Sequence, residues 1–166
     1  LKALQQKGYT EPTPIQKLAI ASIIQQKDVM AAAQTGTGKT ACFTLPILEI
    51  LSNAQENKNH HQLNALIVTP TRELASQVQD NIKSYGKNLS LKSIAIYGGV
   101  SDVNQKDAIN NGVDIIVATP GRLLDLYHQK AINFSKIKIL VLDEADQMLD
   151  MGFINDIKKI DKYLPK

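Results

Sequence analysis

The stretch Ala33-Gln34-Thr35-Gly36-Thr37-Gly38-Lys39-Thr40 constrains this chain more than any other. Ahead of it, the apolar run Val29-Met30-Ala31-Ala32-Ala33 reads as a short buried strand. After it, Ala41 to Leu51 reads as a helix. A strand, a glycine-rich turn and a helix opening on Lys-Thr form a cradle for phosphate. The backbone N–H groups of Thr37, Gly38, Lys39 and Thr40 are expected to point into the turn, where a helix N-terminus carries roughly half a positive charge. In such a cradle Lys39 reaches the outer phosphates as a point charge, and the Thr40 hydroxyl holds Mg²⁺. The general pattern G-x-x-x-x-G-K-[ST] has glycine where Ala33 stands, so the stretch alone is also compatible with a glycine-rich turn that binds nothing.

A chain of 166 residues, 43% of them hydrophobic, is long enough for one domain with a real core and too short to expect two. The charge balance of 19 Lys and Arg against 16 Asp and Glu is mildly basic, compatible with a nucleic-acid partner but too weak to argue for one. Cys42 stands alone, so it forms no internal disulfide and reads as a core thiol. No run approaches membrane-spanning length and no signal-peptide pattern is present, so the expectation is a soluble, cytoplasmic protein without a membrane partner.

From the N-terminus, a helix end over Leu1 to Lys7 breaks at Gly8, and an extended loop follows. Thr13-Pro14-Ile15-Gln16 then starts a helix running to Gln26, with Thr13 as N-cap and proline at the first helical position. Gln16 completes a capping box, which gives its amide a purely local use. Ile15, Leu18, Ala19 and Ile23 form the packing face, with Ser22 as the polar exception. His60, His61 and His128 lack ligand partners at metal spacing and read as loop or helix-end residues.

Four more apolar runs read as strands: Leu63 to Thr69, Leu91 to Tyr97, Val113 to Thr119 and Ile137 to Leu142. Helices are expected from about Arg72 to Tyr85, Asp102 to Asn110 and Leu123 to Gln129. Near-continuous apolar strands alternating with helices imply an α/β fold with a parallel sheet buried on both faces. Every strand-to-helix turn of such a sheet falls on one edge, where ligands bind. That gathers Lys39, Arg72, Gly98-Gly99, Arg122 and Asp143-Glu144 on one rim.

Pro70-Thr71-Arg72 and Thr119-Pro120-Gly121-Arg122 each combine a helix N-terminus, a hydroxyl and an arginine. Either suits a phosphate, and either is also what ordinary helix capping beside a surface arginine produces. Two seats beyond that of the nucleotide suit a second ligand with a row of phosphates, as a nucleic-acid strand has. Gly98-Gly99 admits a close sugar or phosphate, or simply turns the chain. Asp143 closes a strand, where a Mg²⁺-holding carboxylate sits opposite a phosphate loop, and Glu144 beside it suits a base that polarises water. An Asp-Glu pair in that place also caps helices.

The motifs AQTGTGKT (Ala33 to Thr40), PTRELA (Pro70 to Ala75), TPGR (Thr119 to Arg122) and DEAD (Asp143 to Asp146) resemble motifs I, Ia, Ib and II of the DEAD-box RNA helicases, with a bacterial flavour. Gly8-Tyr9 with Pro12 to Gln16 resembles that family's Q motif, and Met148 to Phe153 the segment after its DEAD box. The family accepts alanine at the place of Ala33. The resemblance implies an N-terminal RecA-like P-loop NTPase domain spanning the whole chain, with ATP and Mg²⁺ as cofactors and RNA as partner. It places Tyr9, Gln16, Thr35, Gly36, Thr37, Gly38, Lys39 and Thr40 on the nucleotide, Gln16 reading adenine. Thr40 and Asp143 hold Mg²⁺, Glu144 is the catalytic base, and Asp146 couples this cluster to a later motif. Pro70, Thr71, Arg72, Gly98, Gly99, Thr119, Pro120, Gly121 and Arg122 are matched to the RNA backbone.

By the same resemblance three pieces are expected outside the chain: the Q-motif aromatic before Leu1, the Ser-Ala-Thr motif after Lys166, and a second RecA-like domain with its arginine finger. Such a finger is worth ~10³ or more in rate, so this portion alone is expected to hydrolyse ATP poorly. The strand leading to Ser-Ala-Thr belongs between the P-loop strand and the DEAD strand, so a chain ending before it leaves that slot open. The implied function is the ATP-binding half of an RNA-dependent ATPase that clamps single strands and opens short duplexes. Set against it are a non-catalytic RNA clamp with ATP as a latch, and a DNA translocase.

Overall fold

The computed structural model describes residues 11–32, 36–55 and 61–166. These divide into two compact units, one drawn from residues within 1–58 and 80–91 and the other from residues within 59–79 and 92–166. The sequence expectations for Leu1 to Thr10, including Tyr9, and for Ala33, Gln34, Thr35 and His60 lie outside the described residues.

In the first unit, α1 (Pro14–Ile24) and α2 (Lys39–Gln55) flank the glycine-rich turn. Thr13 caps α1 in extended conformation and Pro14 opens it, because a first-turn residue needs no N–H. Two expectations fail on α1: it ends at Ile24, short of Gln26, and Leu18 is exposed while Ala19 is buried. Helix α2 buries Ala41, Thr44, Leu48 and Leu51, three and four residues apart on one stripe, together with Cys42 and Ile47. It continues through Pro46, which withholds the N–H that the Cys42 carbonyl would otherwise accept.

The second unit contains a four-stranded parallel sheet, β1 (Ala65–Val68), β2 (Ser93–Ile96), β3 (Ile115–Ala118) and β4 (Ile139–Leu142), in the order β2-β3-β1-β4. In chain order between the strands come α3 (Arg72–Tyr85), of which only residues 72–79 belong to this unit, α4 (Asp102–Asn110) and α5 (Pro120–His128), and after them α6 (Ala145–Asp150) and α7 (Ile154–Tyr163). The register is continuous: Leu66 faces Ile116 and Leu140, and Ile116 faces Ile94.

Successive side chains point to opposite faces of a strand. Leu66, Val68, Ile96, Ile116 and Ala118 pack with Leu123, Leu126, Phe134, Met148 and Ile160 in one core. The alternate residues Ala65, Ile67, Ile115 and Val117 are equally inaccessible, so both faces of the central strands are covered as their unbroken apolar sequence requires. The core ends in an aromatic stack of Phe134, Tyr127 and Tyr163, with centroids 4.6 and 4.4 Å apart.

The expected strand at the glycine-rich stretch is not formed. Residues 27–32 carry no strand, and Val29 and Met30 are exposed. A strand persists only when a neighbour pairs its N–H and C=O groups, and no described segment supplies that ladder. The sheet likewise ends at β4 among the described residues, and direct pairing of a P-loop strand with β4 is absent. Helices α6 and α7 form over a segment that is legible in the sequence as motif alone.

At the opposite edge, where the strands begin, Asp114 is buried. Its carboxylate accepts from the N–H of Lys92 at 2.7 Å and of Gln62 at 3.4 Å, and meets His61 Nδ1 at 2.7 Å. Asp114→Ala strips these donors of their acceptor and is expected to cost about 2 kcal/mol of stability. Chemical denaturation reads this directly, and an unshifted midpoint contradicts it.

Candidate functional site

Gly36 and Gly38 both adopt left-handed backbone, at φ +80 and +87, a region that side chains disfavour. They bring the chain to Lys39, the first residue of the 17-residue α2. The Gly38 carbonyl accepts from the N–H groups of Ala41 at 3.1 Å and Cys42 at 3.3 Å, closing the first turn. The leading N–H groups of the helix keep no partner within it and form an anion seat by default. Burial pushes the Cys42 thiol above its ordinary pKa, which keeps it protonated and inert as the core reading expects.

Helix α1 is fastened to this turn. The Thr13 hydroxyl donates to the Thr37 carbonyl at 3.0 Å, and Gln16 Nε2 donates to the Gly38 carbonyl at 3.3 Å. A Cβ on Gly38 would strike the Gln16 amide nitrogen, so glycine is needed there for space as well as for conformation. Gln16 Oε1 accepts from the Thr13 N–H at 3.0 Å, so its capping use is realised. A carboxamide has two donors and two lone pairs. The buried Gln16 therefore links the cap to the turn while keeping one of each.

In the sheet unit, four turns leave from one edge. Beyond Val68, Pro70 is buried and the Thr71 hydroxyl accepts from the Leu74 N–H at 3.2 Å, capping α3. Beyond Ile96, Gly99 takes φ +82, and a Cβ there would sit 2.6 Å from Arg72 Nη1. Gly99 is thus required twice over, and the two turns touch through Arg72. Gly98 faces open space. The Arg72 guanidinium is exposed, its nearest carboxylate being Glu73 at 3.9 Å.

Beyond Ala118, Thr119 stands at the N-cap position of α5 in extended backbone, but its hydroxyl makes no capping hydrogen bond and leaves the helix start uncapped. Pro120 follows without an N–H, so Gly121 and Arg122 carry the first amide donors of the helix. Gly121 is exposed, and a Cβ there would meet open space. Arg122 is bound to carboxylates, Nη1 to Asp125 Oδ2 at 2.5 Å and Nη2 to Asp102 Oδ1. The Gln129 amide, with Arg122 adding to it, holds the Asp125 carboxyl below the usual carboxylate range.

Beyond Leu142, Asp143 is buried and its N–H extends the ladder to the Val68 carbonyl at 2.9 Å. Glu144 sits in left-handed backbone at φ +53 and ψ 50 as the cap of α6. A non-glycine residue held there costs on the order of 1 kcal/mol, and such outliers gather at functional sites. Asp146 is exposed in the first turn of α6. The described residues contain no cluster of three or more His, Cys, Asp or Glu able to enclose a metal, and no helix long and apolar enough to cross a membrane.

Comparison with known proteins bears on the fold and the family. The chain is 48% identical over 165 residues to the DEAD-box ATP-dependent RNA helicase RhpA of Helicobacter pylori, covering 99% of this chain and 32% of that protein. It is 44% identical to the ATP-dependent RNA helicase DbpA of Bacillus subtilis, covering 99% of this chain and 33% of that one. The chain therefore spans about a third of the length of these relatives. A solved structure described as a hypothetical ATP-dependent RNA helicase from Sulfolobus tokodaii superposes with a TM-score of 0.88 at 40% identity, over 98% of this chain and 45% of that one. The fold is that of a RecA-like helicase domain. The profile of the DEAD/DEAH box helicases matches residues 13–166, a span that takes in the capping glutamine Gln16, the Lys39-Thr40 helix start and all four turns of the sheet edge, and the chain belongs to that family.

Proposed function

We propose that this domain is the ATP-binding half of an RNA-dependent ATPase, which with a second RecA-like domain clamps single-stranded RNA and opens short duplexes. The observation that carries the reading is the shared sheet edge. Arg72, the Gly98-Gly99 turn, the uncapped start of α5 and the Asp143-Glu144 pair all leave the strands there. Backbone donors and an exposed arginine are suited to phosphates and 2′-hydroxyls, which present the same face whatever the base.

The nucleotide roles follow from donor chemistry. Lys39 supplies a point charge for the outer phosphates, and the glycines let backbone N–H groups approach them. The Thr40 hydroxyl and the Asp143 carboxylate are hard oxygen donors of the kind Mg²⁺ takes. Mg²⁺ is commonly held by one or two protein groups together with water and substrate phosphates. When bound, Mg²⁺ supplies charge neutralisation at the phosphate oxygens. Glu144 accepts the proton of the attacking water, with Asp146 linking the pair to the rest of the machinery. The remaining donor and lone pair of Gln16 match N6–H and N7 of adenine, whereas guanine presents only acceptors at that edge. Tyr9 and Thr35 complete the nucleotide contacts in this reading.

In the full-length protein, Glu144→Gln is expected to lower RNA-stimulated phosphate release by about 10² or more while leaving ATP binding intact. Equal rates would instead favour a non-catalytic clamp. Replacing Gln16 by alanine should shrink the preference for ATP over GTP by roughly tenfold, read from competition binding; an unchanged preference removes Gln16 from base recognition. Arg72→Ala should weaken binding evenly across RNA sequences and reduce the salt slope by roughly 0.7. A slope equal to that of the unsubstituted protein means that Arg72 touches no phosphate.

A further inference from the structure

We infer that Arg122 is a positioning residue: it ties the start of α4 to α5, setting the spacing between the Gly98-Gly99 turn and the Thr119-Gly121 turn, and does not itself meet phosphate. The inference deepens the RNA-track reading above and rests on it.

Both terminal nitrogens of the guanidinium are engaged by carboxylates. Nη1 donates to Asp125 and Nη2 to Asp102, while Nε is buried with no partner. The side chain is only 10% exposed, against 57% for Arg72. A phosphate approaching Arg122 would compete for a side chain that is largely enclosed and already hydrogen-bonded and charge-paired to two carboxylates. It would also approach two carboxylates flanking a single guanidinium, an arrangement that repels an anion.

The positions of the two carboxylates give the pairing its consequence. Asp102 is the first residue of α4, immediately after the turn that holds Gly98 and Gly99. Asp125 lies one turn along α5, the helix that Thr119 and Gly121 open. Around them, Lys106 reaches Asp102 at 3.7 Å and Gln129 reaches Asp125 at 2.8 Å, so both carboxylates are held from their far sides as well. A planar fork can bridge two carboxylates at fixed angles, which an ammonium on a flexible stem does not reproduce. Arg122 thereby joins two turns whose useful groups are backbone atoms, and such groups bind a polymer only at a set separation.

The test measures affinity of the full-length protein for a single-stranded oligoribonucleotide across a series of KCl concentrations. Arg122→Ala, Arg122→Lys and Asp102→Asn should each weaken binding by about three- to tenfold, and Arg122→Ala combined with Asp102→Asn should lose no more than either alone. The salt slope should stay at the value of the unsubstituted protein. The RNA concentration for half-maximal phosphate release should rise while the rate at saturating RNA holds. The inference is overturned if Arg122→Ala lowers the slope by roughly 0.7, as a lost phosphate contact does. It is overturned equally if lysine restores full affinity, or if Asp102→Asn tightens binding by freeing the arginine. Absence of salt-dependent RNA binding in the unsubstituted protein overturns the track reading and this inference with it; a changed slope in Arg122→Ala alone overturns only the inference.

Discussion

Parallel pairing is the constraint from which the rest of the sheet unit follows. Val68 stands level with Ala118 and Leu142, and Ala118 with Ile96, so four strands running one way release their chains along a single rim. Thr71 and Arg72, Gly98 and Gly99, Thr119 to Arg122, and Asp143 with Glu144 all fall within four residues of that rung. The pairing in turn depends on burial. A slip of one residue exchanges the faces of a strand. With Leu66 and Ile116 packed on one side and Ile67 and Val117 on the other, nothing polar in β1 or β3 rewards such a slip.

The rim is not uniform, and its differences have chemical meaning. Thr71 spends its hydroxyl on capping α3, whereas Thr119 leaves the start of α5 uncapped behind a proline that has no N–H. The first turn offers an exposed guanidinium and the second offers backbone donors. Arg72 is exposed beside Gly99, while Arg122 is enclosed by carboxylates. Two arginines that look equivalent in the motifs therefore occupy opposite electrostatic situations. Glu144 keeps a left-handed backbone that glycine would accept more easily, and the carboxyl group that glycine lacks is the one the proposed chemistry uses.

Much of this was readable in the sequence because it rests on local signals. Helix α4 spans Asp102 to Asn110 and α3 ends at Tyr85 as expected, since apolar period and turn residues mark those boundaries. The core strands were placed correctly but are shorter, because only residues with a neighbour on the ladder count as strand. The run at Val29 to Ala32 misled for the same reason: its composition suits a buried strand, but pairing is a property of the neighbour and not of the run. Leu18 failed because helical spacing names a face without saying what covers it. The Asp114 hub joins residues from 61 to 114, and the Arg122 bridge joins α4 to α5. Contacts so far apart in the chain leave no periodic trace. A polar residue just before an apolar strand, as Asp114 is, was the one available hint.

The central claim, that one rim of the sheet carries the polymer track, is tested most directly by amide hydrogen exchange of the full-length protein with and without a short single-stranded RNA. The account predicts slowed exchange in the segments around residues 71–74, 98–102 and 119–122, with the strand starts near Gln62, Lys92 and Asp114 unchanged. Protection centred on those strand starts, or spread evenly over both edges of the sheet, would contradict it.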